Sequence, residues 1–197
     1  MAKQKFNFDK DWLIEPDLIN YDIWKPYYEG KHKTISSLEG VKVIGEIGVR
    51  AGYSARCFLE SKPTAKFYGY DFYAGRNLGA GITNDVLLSQ AKKNLEKYSS
   101  DIRVVNSQEC YYLDAEYVDF WHIDADHSYL GAQHDLELAL ASLTERGHIL
   151  IDDIGKPDGR TRGTEHEVRR AAEDFIEKYQ LHYKHIESLT GEYLIWR

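Results

Sequence analysis

The sequence predicts an α/β protein built on a doubly wound, mostly parallel seven-stranded sheet that ends in an antiparallel hairpin. Three observations carry that expectation. From residue 42 onward, short apolar runs alternate with segments of helical period, the pattern of repeated βα units. Four of the first five apolar runs end in an acidic residue or acidic pair. The tail holds two further strand-like runs separated by a turn glycine.

The elements follow in order. Residues 42–47 read as a buried strand and 54–60 as a short helix. Residues 66–70 form a second strand, closed by Asp71. Residues 84–98 are helical, with Leu87, Ala91, Leu95 and Tyr98 repeating near the helix period. Strands at 102–105 and 117–123 come next. A helix follows that places Tyr129, Ala132, Leu136, Ala139, Leu140 and Leu143 on one face. Residues 147–151 are the fifth strand, and 164–179 a helix with Val168, Ala171, Ala172, Phe175, Ile176 and Tyr179 on its inner stripe. The runs 181–187 and 192–196, joined through Leu189-Thr190-Gly191, complete the sheet as a hairpin. Residues 1–40 precede this unit and mix Trp12, Tyr21, Trp24, Tyr27 and Tyr28 with Pro16 and Pro26. Two expectations stand for them, a helical flap that completes the core or a lid over a substrate, ahead of a domain spanning 41–197.

Composition narrows the function classes. A formal net charge of −7 argues against a general nucleic-acid partner. No apolar run approaches the roughly 20 residues that cross a bilayer, and Met1 to Lys10 is polar. The expectation is a cytoplasmic protein with no membrane partner. Cys57 and Cys110 form neither a disulfide framework nor a zinc set, and read as small buried hydrophobes. The aromatic share of 13% suits an aromatic core as well as an aromatic-lined pocket. The Tyr- and Trp-rich start also offers a homodimer contact.

The chemistry concentrates at strand ends, where a sheet of this kind binds its ligands. Val43-Ile44-Gly45-Glu46-Ile47-Gly48-Val49-Arg50-Ala51-Gly52-Tyr53-Ser54 is a strand, a tight turn and a helix start. Gly48 and Gly52 would let backbone approach a nucleotide-like ligand, and Glu46 could anchor an ammonium group. Asp71 follows Gly48 by 23 residues and is placed to accept both hydroxyls of a ribose. That pattern serves NAD and S-adenosylmethionine alike, but a bulky Arg50 in the turn argues against a pyrophosphate lying over it. Asp124, Asp152 and Asp153 would offer oxygen ligands from two adjacent strands to a hard divalent cation, above all Mg²⁺. The competing reading has Asp152-Asp153 capping a turn, neutralised by Lys156, Arg160 or Arg162. Asp126 and His127, just beyond Asp124, are candidate bases.

Together, Glu46-Ile47-Gly48-x-x-x-Gly52-x-Ser54, Asp71, His122-Ile123-Asp124-Ala125-Asp126-His127-Ser128-Tyr129 and Ile149-Leu150-Ile151-Asp152-Asp153 resemble a class I S-adenosylmethionine-dependent methyltransferase of Rossmann-like fold. Within that class the chain is most similar to the small metal-dependent O-methyltransferases of the macrocin and aminocoumarin-sugar type, and more distantly the catechol type. The resemblance covers about residues 41–180. It implies that Glu46, Gly48 and Ser54 contact the methionine part, with Gly52 in the same turn and Asp71 on the ribose. Ser107 and Gln108 would border the adenine. Asp124, shared with the cofactor side, would hold a metal together with Asp152 and Asp153. The base would be His127 or Asp126, with His127 preferred. The implied reaction is magnesium-dependent O-methylation of a small-molecule hydroxyl. The alternatives are an NAD-dependent oxidoreductase and a non-catalytic S-adenosylmethionine-binding protein. The loops at 72–81 and 155–163 should border the acceptor. Catechol-type members carry Asn where Asp153 stands.

Overall fold

A computed structural model of the chain describes residues 6–18, 20–74, 82–115 and 117–197. Residues 75–81 of the expected acceptor loop therefore lie outside the described residues. Two helices open the chain, α1 (Glu15–Leu18) and α2 (Tyr21–Ser36). Then come β1 (Val43–Ile47), α3 (Tyr53–Ser61), β2 (Lys66–Asp71), α4 (Asn84–Leu95) and β3 (Ser100–Val104). The second half holds β4 (Val118–Ile123), α5 (Tyr129–Ser142), β5 (Leu143–Ile151), α6 (Glu165–Tyr179), β6 (His182–Ile186) and β7 (Glu192–Trp196).

The seven strands lie in the order β3-β2-β1-β4-β5-β7-β6. β1, β2, β3, β4 and β5 pair in parallel, and β7 runs antiparallel to both β5 and β6. This is the doubly wound sheet with a C-terminal hairpin that the sequence predicts. The order reverses between β1 and β4, so a crevice opens there at the carboxyl ends of the strands.

Side-chain alternation along the strands divides the core between two faces. On one, Trp121, Ile123, Ile149 and Ile151 pack against Leu136 and Ala139 of α5 and Phe175 of α6. On the other, Ile44, Phe67, Phe120 and Leu150 meet Phe58 of α3, Leu95 of α4 and Ile35 of α2. Phe8, Trp12, Leu13 and Ile14 form a third cluster with Ala51, Tyr53 and Cys57, and Phe8 is fully buried. The start of the chain thus shares its core with α3.

Element ends differ most from the expectation in two places. α4 stops at Leu95 rather than Tyr98. β5 begins at Leu143, with its register against β4 shifting between Val118 and Phe120. The residues inserted there, Thr144-Glu145-Arg146-Gly147, are polar and break the apolar run. Thr144 is tied back to the β4 partner strand by a hydrogen bond to Asp119 Oδ1 at 3.2 Å.

Candidate active site

A cavity of about 420 Å³ occupies the crevice outside β1, β2 and β4, within the range of small-molecule sites. Gly48, Arg50, Asp71, Tyr73, Ser107, Gln108, Asp124, Asp126 and His127 all lie on its walls. Five of the eight expected cofactor residues are therefore brought together: Gly48, Asp71, Ser107, Gln108 and Asp124.

Asp71 ends β2 with both carboxylate oxygens fixed. Oδ2 accepts from the Arg50 backbone N–H at 2.8 Å and Oδ1 from that of Tyr73 at 2.8 Å. Each oxygen keeps a lone pair for a further donor, so the acid is preset to receive a diol. Arg50 and Tyr73 both adopt positive φ, 49° and 45°. The Tyr73 hydroxyl donates to the Arg50 carbonyl at 2.7 Å, which pins the two turns together. Such strained backbone persists where surrounding contacts determine it, as at ligand sites.

Across the cavity, Asn106 caps the short turn Ser107–Glu109 by accepting from the Gln108 N–H at 3.2 Å. Gln108 Nε2 donates to Asp135 Oδ1 at 2.9 Å. His134 Nε2 faces the carbonyls of Ser107 and Cys110 at 2.9 and 3.0 Å, so that nitrogen carries the proton. Burial pushes the Asp135 carboxyl up to about 6.

Three expected cofactor residues do not line the cavity. Glu46 pairs in register with His122 across β1 and β4, and both side chains point to the sheet face under α2 and α3. Glu46 is fully buried. Its Oε1 accepts from Ser54 at 2.5 Å and from His122 Nδ1 at 2.6 Å. Ser54 is thereby turned inward as well. Gly52 is the left-handed cap of α3, and its Cα side faces Ala91 of α4, which a Cβ would meet at 3.2 Å. Its glycine serves helix packing. Even Gly48, which does line the cavity, needs its φ of 94° and its missing Cβ because the Asp124 carbonyl lies directly against it.

The acids of β4 and β5 divide into two groups. Asp152 is buried: its Oδ2 accepts from the Tyr27 hydroxyl and, at 2.6 Å, from Lys31 Nζ. Thr190 and the Asp153 N–H occupy Oδ1 at 2.5 and 2.8 Å. One donor atom from each of Asp152, Asp124 and His122 still lies within 4.8 Å of the others. What the structure corrects is the alternative reading, in which Lys156, Arg160 or Arg162 neutralised Asp152. The counter-charge is Lys31 of α2, which also meets Glu192 Oε1 at 2.6 Å and His122 Nε2 at 2.9 Å. An ammonium only donates, so His122 Nε2 accepts and its Nδ1 holds the proton given to Glu46. Burial lowers the His122 pKa, and Lys31 lowers it further, which fits that neutral tautomer. Burial raises the Glu46 pKa well above the ordinary range.

Asp153 turns the other way. At φ 59° it leaves the strand in the left-handed region, which Asp tolerates. Its Oδ2 lies 3.1 Å from His127 Nε2, and that nitrogen is 3.5 Å from Asp124 Oδ1. Burial and the carboxylates of Asp124 and Asp152 push Asp153 up to about 7. One donor atom from each of Asp124, His127 and Asp153 fits within 4.8 Å of the others. Two carboxylates crowded in this way lower their repulsion by sharing a cation, so the residues fit a divalent ion. Asp126 accepts from the Ser128 N–H at 2.8 Å and so belongs to the start of α5 as much as to the cavity.

Sequence reasoning missed Lys31, Tyr27, Glu192, His122 and Asp17. Lys31 carries no local signal, being one of several lysines in a polar helix. Glu192 had one, an acid at the first position of an otherwise apolar strand.

A crevice with an acid at the end of β2 and acids at the ends of β4 and β5 suits both of the cofactor classes that the sequence left open, and the comparison with known families bears on the choice. The family described as "Methyltransferase domain" matches residues 46–154, more than half of the chain, and the chain belongs to that family. The dinucleotide oxidoreductase alternative loses its support. Solved structures agree on the fold. The S-adenosylhomocysteine-bound methyltransferase PaMTH1 of Podospora anserina superposes with a TM-score of 0.68 at 14% identity, covering 99% of this chain and 91% of that one. The O-methyltransferase TomG of Streptomyces achromogenes, solved with S-adenosylmethionine, gives 0.65 at 15% identity, covering 87% and 79%. No curated protein matches the sequence. Among the described residues no helix is long and apolar enough to cross a membrane.

Proposed function

We propose that the chain transfers the methyl group of S-adenosylmethionine to a hydroxyl of a small-molecule acceptor, aided by Mg²⁺ or another hard divalent cation. The observation that carries this reading is the doubly fixed Asp71 facing Ser107-Gln108 across one cavity, with Asp124, Asp126 and His127 on its third side. Asp71 receives the ribose hydroxyls, and the Ser107-Gln108 turn borders the base. Asp124 and Asp153 are the oxygen donors to the cation, which when bound stabilises an acceptor oxygen that is losing its proton. His127 accepts that proton, being an imidazole on the cavity wall next to both acids. Asp152 acts from behind, holding Lys31 and leaving Asp153 to meet His127, which lines the cavity. The protein's main contribution to the reaction is proximity and orientation. The known O-methyl chemistry of TomG is consistent with an oxygen acceptor.

Calorimetric titration with S-adenosylhomocysteine and NADH, each with and without magnesium, tests this. Binding of S-adenosylhomocysteine and not NADH is the expected result. No heat with S-adenosylhomocysteine, or binding of NADH alone, would end the reading. Magnesium-independent methylation of every accepted substrate would remove the cation from it.

A further inference from the structure

With Glu46 and Ser54 turned inward, the cavity needs another group for the charged amino-acid end of its cofactor. We infer that Arg50 binds the methionine carboxylate, with Asp17 of α1 as the residue that aims it. The assignment rests on the cofactor reading above.

Arg50 is the sole lysine or arginine among the described residues that line the cavity, where Asp71, Asp124 and Asp126 supply the opposite charge. In S-adenosylmethionine the sulfonium and the ammonium suit those acids. The carboxylate does not, and it calls for a cation. The Arg50 backbone is fixed on both sides of its Cα, by Asp71 at the N–H and by Tyr73 at the carbonyl. Its guanidinium therefore rises from the residue that already touches the ribose acid, one ligand segment away. Nη1 and Nη2 donate to Asp17 Oδ2 and Oδ1 at 2.9 and 3.1 Å, and the Tyr53 hydroxyl donates to the same Oδ2 at 2.9 Å. Asp17 is nearly buried, whereas the arginine side chain stays 39% exposed. A guanidinium has five N–H donors, and Asp17 takes two of them. The remaining edge can form the two-pronged contact that this group makes with carboxylates. A lone structural ion pair has no need of the fixed backbone or of a place on the cavity wall.

The test compares S-adenosylhomocysteine with 5′-methylthioadenosine, which has the same nucleoside and sulfur but no amino-acid end. For Arg50→Gln, calorimetry should show S-adenosylhomocysteine binding about 10- to 100-fold weaker. Methylthioadenosine affinity should stay within about 2-fold, which also shows that the pocket is intact. Arg50→Lys should recover part of the loss. Equal weakening of both ligands would make Arg50 a clamp on α1 and overturn the assignment. Unchanged S-adenosylhomocysteine affinity would overturn it too, leaving the guanidinium for an anionic acceptor. If the wild-type protein bound neither ligand, the cofactor reading itself would fall, a result separate from either of these.

Discussion

Lys31 Nζ lies 2.6 Å from Asp152 Oδ2, with both side chains sealed from solvent, although 121 residues separate them in the chain. Burial alone would lower the lysine pKa, but Asp152 and Glu192 outweigh it and keep the ammonium charged. Burial likewise pushes Asp152 up, and the Lys31 ammonium overcomes that push. Truncating the cation leaves the buried carboxyls of Asp152 and Glu192 without their shared partner. Lys31→Met should cost about 3–5 kcal/mol, the usual loss when one member of a buried pair is removed. The midpoint of thermal unfolding should fall by roughly 10 °C or more for a domain of this size. A double variant, Lys31→Met with Asp152→Asn, should recover part of that. A midpoint unchanged by the single substitution would show that the pair is not formed in solution.

The pair also marks where the sequence stopped being legible. Helices and strands follow from local periodicity, so the βα alternation, the hairpin and the acids at strand ends were all readable. Which face of a strand a polar residue takes depends on what packs there. Glu46 read as a ligand contact because it ends an apolar run beside a glycine. In the fold, parity along β1 sends it under α3, opposite His122. Asp152 and Asp153 looked equivalent as neighbours, but adjacent strand-end residues point to opposite sides. One meets Lys31 in the interior and the other meets His127 at the cavity. Nothing in a helix of ordinary polar composition announces that its lysine will be the counter-ion.

Glycines give two predictions of opposite sign. Gly48→Ala places a Cβ against the Asp124 carbonyl at a φ of 94°. Both the left-handed conformation and the clash oppose it, so a loss above about 2 kcal/mol is expected in urea denaturation. Gly30 sits inside α2, and a Cβ there would have nothing within 4 Å. Gly30→Ala should therefore stabilise by about 0.5–1 kcal/mol through helix propensity. Equal effects from the two substitutions would contradict the close approach of β1 to the end of β4.

Asp135 predicts a pH dependence. It is fully buried beneath the Ser107-Gln108 turn, and burial raises its carboxyl from 3.8 to about 6. A carboxyl with a raised folded-state pKa contributes stability that is complete below its unfolded value and is lost as pH rises through the folded one. The wild type should thus lose roughly 3 kcal/mol between about pH 4 and pH 6 at this residue. Asp135→Asn keeps an oxygen for Gln108 and does not titrate. Relative to the wild type, the variant should gain stability across that window and hold the gain at pH 7.5. Urea unfolding at pH 4.5 and 7.5 measures the difference, and one that does not change with pH would mean that Asp135 is not held in its neutral form.

His127 is the residue whose role most needs separation from that of its neighbours. It lies between Asp124 and Asp153, so removing it could act through proton transfer or through the carboxylates. The proposed division makes distinct demands on three variants. His127→Ala should lower turnover by about 100-fold or more, the usual size of a general-base contribution. Its affinity for magnesium, measured by calorimetry on the complex with S-adenosylhomocysteine, should change little. Asp153→Ala should instead weaken magnesium binding and leave S-adenosylhomocysteine affinity nearly intact. Asp126→Asn retains the oxygen that caps Ser128 and should keep most of the activity. If Asp126→Asn proved the more damaging of the two base candidates, the proton would go to Asp126, and His127 would become a partner of the two acids. Loss of magnesium affinity in His127→Ala would point the same way, with the imidazole acting as the third donor beside Asp124 and Asp153.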